Sequence, residues 1–539
     1  MSIIRFREKV SRNMMYVFAG GICLTLLAGI FYSFAGPNMQ VGSSPDSRQI
    51  GGPAFEINGR VYNSRDFEAQ FNDIAQRMQG QGITQMAMLR GQMVDFYVTQ
   101  AKLAEAARSA GIKVSGREIN DERKRVADQE LESLKSQLFG AEADKKTDAD
   151  LDQALVRQTG KGLNTFRKQF EARQSKEFWE TALLARKYEE TVRSKVQVTE
   201  EDLKNSYRTL TVDHILVSFE GRPEATARKR AEDILAKAKG GEDFASLAKE
   251  FSDDLGTKRE GGRVPSFQAG ASTGDPVTSQ FGEDFVKAAA GLKKPGDLSE
   301  PVKTPNGLSI IKLAKADINL PKDFEKNKAD LLKDLQRRES DPIWQEAVKK
   351  VQEETQVKFI NPEFEGFYLL SQFDPKTGEV SKENLEKAEA KFKEHIKQAQ
   401  IEDAPYDITL LQLAQVQERL GKNKDAAVSL EEFFTRNEDA QVRLTLARLY
   451  MGLKDKDKAL QHYKEASLVT IDPNVHFQLM QVFTNELPNQ ELAAKSQKIV
   501  EDAQRQYQEQ MRMQQQAKEE QERKSQTPAQ GGPEEKDGE

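Results

Sequence analysis

At 539 residues the chain is too long for one hydrophobic core, and three or more domains are expected. Its 80 basic and 86 acidic side chains are mixed along the sequence and nearly cancel to a net charge of -6, so no surface is basic enough to grip a phosphate backbone and nucleic acid is excluded as a partner. One cysteine, Cys23, excludes an intramolecular disulfide framework, and the four histidines (His214, His395, His462, His476) lie far apart with no second ligand at metal spacing. No phosphate-binding glycine loop and no nucleophile elbow occur, so neither a metal nor a cofactor is expected.

The N-terminus carries the clearest physical pattern. Arg5, Arg7, Lys9 and Arg12 precede an uncharged apolar run from Met14 to about Ala35, long enough to cross a bilayer as a helix. Positive charge stays on the cytoplasmic side, so the reading is a cytoplasmic N-terminus over 1–13, a transmembrane helix over 14–35 and an extracytoplasmic remainder at a bacterial cell membrane. A cleaved signal peptide fits less well, because the apolar run is long and the exit Ser33-Phe34-Ala35-Gly36 is a mediocre small-x-small match. A lipoprotein signal fails because Ile22 precedes Cys23 and leucines follow it.

Residues 36–53, rich in Gly, Ser and Pro, read as a tether. Ala54 to Tyr62 alternates and turns at Asn58-Gly59, which predicts a short hairpin, and Ser64 to Phe67 opens a helix. Amphipathic helices follow to about residue 208, among them one carrying Met93, Phe96 and Tyr97 and one carrying Phe166 and Phe170, with a weaker stretch between Gly140 and Gly162. Thr199 is placed to cap a short helix over 199–207. Residues 209–317 change to strand, helix, helix, Gly-rich loop, short helix and strand, a compact α+β module of one domain's size. A charged helix from Lys322 to Glu354 and a strand at Val357 to Ile360 come next. Over 381–508 the pattern Ala414, Leu420, Ala426 recurs as Ala447, Leu453, Ala459, which predicts stacked helix pairs. Residues 509–539 lose periodicity and read as a fraying helix and a disordered tail.

The blocks Val212-Asp-His-Ile-Leu-Val217, Asp243 to Asp254, Gly261-Gly262, Leu298 to Gly307 and Ile310-Ile-Lys312 together resemble the parvulin family of peptidyl-prolyl isomerases. That resemblance implies a four-stranded antiparallel sheet wrapped by helices. The surrounding organisation resembles the SurA, PrsA and PpiD group of folding factors. It implies that 54–208 is a SurA-N-like helical chaperone domain completed by 322–361, with the hairpin paired to Val357–Ile360 and the parvulin unit inserted. The repeats resemble tetratricopeptide repeats. The fold class is therefore multidomain α+β.

The resemblance also implies a site. Val264, Phe281 and Phe285 would form an apolar, substrate-binding cup for the proline ring, and His214, Asp254, Thr304 and Ser309 would form the catalytic network beside it. His214 would orient the site by hydrogen bonding. Read as residues alone, the three apolar side chains are plain core, and a single strand histidine is a structural group. Ser309 stands where the family pattern carries a second histidine, and a hydroxyl cannot carry imidazole's charge.

Two functions are expected to compete: a membrane-anchored isomerase and chaperone acting on unfolded or nascent exported proteins, and a non-catalytic holdase or scaffold. The retained His214, Asp254, Phe281, Phe285 and Thr304 favour the first and Ser309 the second. The repeats are expected to recruit a protein partner, so that deleting 381–539 removes that partner and spares client binding.

Overall fold

The computed structural model describes residues 51–78, 82–270, 275–374 and 377–526. The apolar run from Met14 to Ala35 lies outside them, and among the described residues no helix is long and apolar enough to cross a membrane.

The chain divides into two compact units, Met1–Tyr188 with Lys349–Glu539, and Glu189–Val348. The first opens with β1 (Pro53–Ile57) and β2 (Arg60–Asn63). Asn58 (φ 52°) and Gly59 (φ 80°) both take left-handed conformations, the geometry that lets a two-residue turn follow the twist of its strands. Helices α1 (Arg65–Arg77), α2 (Ile83–Ser109), α3 (Gly116–Phe139), α4 (Asp148–Thr159), α5 (Leu163–Ala172) and α6 (Lys176–Arg193) follow. Ser115 and Glu118 cap the start of α3 reciprocally, and Thr147 and Asp150 do the same for α4.

The second unit holds α7 (Glu200–Ser206), β3 (Arg208–Ser218), α8 (Glu224–Lys239), α9 (Phe244–Phe251), β4 (Phe267–Gln268), α10 (Pro276–Phe281), α11 (Glu283–Gly291), β5 (Val302–Thr304), β6 (Gly307–Ile318) and most of α12 (Phe324–Glu354). Thr199 caps α7 through Asp202, as the sequence indicates. The sheet is antiparallel in the order β4-β3-β6-β5. Alternation along its two long strands divides the core. Ile215, Val217, Leu308 and Ile310 pack with α8 and α9, whereas Val212, Ile311 and Leu313 pack with α10 and α11.

The chain then returns to the first unit through β7 (Lys358–Phe359), which pairs with β1 at Phe55–Phe359 and so completes a β2-β1-β7 sheet. Next come α13 (Pro362–Ser371), α14 (Lys382–Glu402), α15 (Asp407–Arg419), α16 (Asn423–Phe434), α17 (Ala440–Gly452), α18 (Lys456–Val469), α19 (Pro473–Gln481) and α20 (Gln490–Gln526). The pair α15/α16 recurs 33 positions later as α17/α18, and the recurring small residues Ala414, Ala426, Ala447 and Ala459 are all buried where helices meet.

These C-terminal helices share a core with the N-terminal ones. One hydrophobic cluster runs from Ala54 and Phe55 through Val94, Val98, Phe364 and Phe392 to Phe433, Tyr463 and Phe483. Beneath it Arg90 on α2 forks between Glu363 (Nη2–Oε2 2.6 Å) on α13 and Glu68 (Nη2–Oε1 2.7 Å) on α1, and Thr409 on α15 donates to Glu363 at 3.1 Å. The sequence pattern presents 381–508 as a region apart; the structure joins it to the helices around Phe55 because α13 and α15 cover the apolar face of α2. The last helix also continues past Glu509 to Gln526, since Gln, Glu, Lys, Arg and Met all propagate a helix and no Gly or Pro intervenes. Residues 527–539 of the expected tail lie outside the described ones.

Candidate active site

The site begins with how β3 is held. Strand β3 places His214 on the α10/α11 face of the sheet, fully buried. Its backbone N–H donates to the Gly262 carbonyl at 2.8 Å. Gly262 has φ 88°, and a Cβ there would lie 2.2 Å from the His214 carbonyl oxygen, so only glycine lets this loop approach the strand. The loop after α9 is fixed by Ser252, whose hydroxyl accepts from the N–H of Leu216, and by Asp253, which accepts from Ser218 N and Arg222. These anchors deliver Asp254 to the ring of His214.

His214 Nε2 lies 2.9 Å from Asp254 Oδ2 and 2.9 Å from Thr257 Oγ1. Thr257 donates its hydroxyl to the same Oδ2 at 2.6 Å, and Gly256 N–H donates to Oδ1 at 3.0 Å. The hydrogen bond from His214 holds the Asp254 carboxyl well below the usual carboxylate range, helped by Thr257 and Gly256 and opposed by partial burial. Asp254 is therefore an anion whose oxygens are occupied by the protein's own donors. Its part is to orient the imidazole. Because Thr257 has one proton and gives it to Asp254, His214 Nε2 must itself be a donor. The other ring nitrogen, Nδ1, is buried and has no hydrogen-bond partner among the described residues.

Against this polar edge stands an aromatic wall. The Phe281 and Phe285 rings stack at 4.8 Å, and both meet the His214 ring edge to face, at 4.9 and 5.6 Å. Val264 belongs to the same buried cluster, along with Leu210, Val212, Ile311 and Leu313. Val264, Phe281 and Phe285 are all buried, Phe281 the least so at 7%, and the Asp254 side chain keeps 17% exposure.

Five of the residues picked from the sequence thus come together: His214, Asp254, Val264, Phe281 and Phe285. Thr304 does not join the polar network through a hydrogen bond of its own. Its hydroxyl donates to the Gly307 carbonyl at 3.1 Å and closes the β5–β6 turn. Ser309 is fully buried on β6, paired with Leu216 of β3, and its hydroxyl has no partner among the described residues. Thr257 was missed from the sequence. The spacing Asp254-x-Gly-Thr257 carries it, since a hydroxyl three positions past a carboxylate can fold back onto that carboxylate. Among the described residues no group of three or more His, Cys, Asp or Glu side chains could hold a metal ion.

Comparison with known proteins now decides the fold family of this unit. The model of the rotamase family, the PPIC-type PPIase domain, matches residues 214–315. The chain carries a PPIC-type PPIase domain. A second model, the SurA-like N-terminal domain, matches residues 9–156, which places a SurA-like domain ahead of the PPIase unit. Among curated proteins, foldase protein PrsA 3 of Bacillus anthracis is 35% identical over 179 residues, covering 32% of this chain and 56% of that protein. Foldase protein PrsA 2 of Listeria monocytogenes is 40% identical over 134 residues, covering 24% of this chain and 39% of that protein. The chain thus spans little more than half the length of the curated relatives it matches. A crystal structure of the peptidylprolyl isomerase PrsA from Bacillus anthracis is 23% identical, covering 49% of this chain and 96% of that one, with a TM-score of 0.23.

Proposed function

We propose that this chain is a membrane-anchored, extracytoplasmic peptidyl-prolyl cis–trans isomerase and chaperone for exported proteins. The observation that carries the reading is the clamped imidazole of His214, fixed by Asp254 and Thr257 and set edge-on to the Phe281–Phe285 stack. Rotation about a peptide bond faces a barrier of roughly 18–20 kcal/mol from its partial double-bond character. An X-Pro bond crosses it unaided in tens to hundreds of seconds. Catalysis asks only that the proline ring be held in an apolar wall while the twisted amide is bound better than the planar one, with no covalent step. Stacked aromatics supply the wall, and a rigid polar edge beside it supplies an environment that need not reorganise during rotation.

The chaperone half of the proposal rests on the SurA-like N-terminal match, and the anchor on the charged-then-apolar run before residue 36. The 33-residue helix pairs fit tetratricopeptide-like repeats that recruit a protein partner. A second reading, a non-catalytic holdase, is favoured by Ser309 in place of histidine and by the full burial of Phe285 and Val264.

The deciding experiment is proline-limited refolding of a reporter protein with the full-length chain, beside its His214→Ala variant. Acceleration of the slow phase by wild type alone supports the isomerase. Suppression of aggregation by both, with no acceleration by either, would leave the holdase.

A further inference from the structure

Among the described residues of the PPIase-bearing unit, four buried side-chain atoms lack a hydrogen-bond partner: His214 Nδ1, Ser309 Oγ, Thr278 Oγ1 and Arg230 Nε. Two of the four lie on one face of the sheet, and a third lies on the helix α10 that packs on that face. His214 pairs with Ile311 and Leu216 with Ser309, so Ser309 stands one diagonal step from His214 on the side of the sheet that Ile311 and Leu313 turn toward α10 and α11. Thr278 lies one helical turn before Phe281, whose ring touches His214. Buried polar groups are rarely left unmet, and each one that is calls for an explanation, an ordered water among them.

The chemistry of the three atoms specifies which. With Nε2 committed as donor to Asp254 and Thr257, a neutral His214 offers Nδ1 as a bare acceptor. Ser309 and Thr278 each offer one donor and lone pairs. The structure brings neither hydroxyl into hydrogen-bond contact with Nδ1, and one interposed water, which needs 2–4 polar partners to be held in a core, would join them.

We propose that Ser309 is a positioning residue of the isomerase site, holding the Nδ1 edge of His214 through a single bound water and so doing with a hydroxyl and a water what a second histidine does in the family pattern. The inference rests on the isomerase reading for its consequence in turnover, but not for the bridge itself. His214 is thereby clamped at both nitrogens, at Nε2 by Asp254 and Thr257 and at Nδ1 through the water.

The test compares wild type, Ser309→Ala and Ser309→His in the full-length chain, with 15N-histidine labelling; only four histidines need assigning. In Ser309→Ala the His214 Nδ1 resonance shifts, the melting temperature drops by about 2–4 °C, and kcat falls about tenfold with KM unchanged. Ser309→His restores kcat. The bridge is overturned if Ser309→Ala leaves the Nδ1 resonance in place and raises the melting temperature, as deleting a truly unpaired buried hydroxyl does. If wild type does not accelerate prolyl exchange at all, the role in turnover is overturned together with the isomerase reading, while the resonance and the melting temperature still decide the bridge.

Discussion

Lys454 occupies, in the helix pair α17/α18, the left-handed position that Gly421 occupies 33 residues earlier in α15/α16, with φ 65° against 75°. Both follow the last turn of a helix, where the chain must reverse direction, and a Cβ makes that conformation costly by roughly 1–2 kcal/mol. Lys454→Gly relieves the steric cost and gives part of it back as backbone entropy in the unfolded chain. The expected net gain is about 0.5–1 kcal/mol, read as an increase in the urea midpoint at unchanged m-value. The converse Gly421→Lys loses about the same.

The ion network of Arg90 leads to a larger effect. Burial alone would raise the carboxyl of Glu363, yet Arg90 against it holds it below the ordinary range. In Arg90→Met, the buried Glu363 is left beside the half-buried Glu68 with no guanidinium between them, at a cost of about 3–5 kcal/mol. The sign of the pH dependence then inverts. In wild type the depressed Glu363 gives stability that is present above about pH 4 and lost as pH falls. In the variant, protonating the stranded, buried Glu363 relieves it, so stability rises on mild acidification. Urea titrations between pH 4.5 and 7.5 separate the two slopes.

Asp254 makes a narrower pH statement. Its folded carboxyl is depressed, chiefly by His214, so its contribution is complete above the unfolded value of about 4 and disappears only as pH falls through and below it. It does not titrate between pH 5 and 8. Asp254→Asn is expected to lower kcat/KM by about ten- to a hundredfold, the worth of a hydrogen bond to a charged group. The melting temperatures of wild type and variant should differ at pH 7 and converge below pH 4. A constant gap down to pH 2 would remove Asp254 from the account.

Deleting 381–539 does not isolate a docking module in this structure. The deletion strips α14 and α15 from Val94, Val98, Phe364 and Phe367, side chains that are otherwise almost fully buried. Loss of the cooperative unfolding of the first unit is expected together with any loss of a partner. Circular dichroism and hydrogen exchange on α1 and α2 check it, and unchanged protection there would restore the picture of an independent repeat region.

What the sequence makes legible is mostly local. Asn58-Gly59 announces its turn, and Thr199 announces its cap. The 33-residue spacing of Ala414 and Ala447 foretells two successive helix pairs. His214 and Asp254 were found by family pattern, because nothing in their 40-residue separation implies a 2.9 Å contact. The reach of Arg90 to Glu363, 273 positions away, left no trace in periodicity or composition. The resemblance places Thr304 in the polar network, and its hydroxyl turns instead to the Gly307 carbonyl across the β5–β6 turn. Thr257 was readable in principle, through a local side-chain pattern that pointed to no secondary structure.

The discontinuity of the first unit bears on how the protein is made. Phe55 cannot meet Phe359 or Phe364 until the ribosome has added roughly 300 more residues, on the order of 15–60 s at 5–20 residues per second. Within that interval the whole of Glu189–Val348 has been synthesised and has all its sheet partners, β3 to β6, at hand. The N-terminal helices, their apolar faces uncovered, wait through it. The Glu189–Val348 unit is therefore complete in sequence before the two segments of the first unit can close on one another.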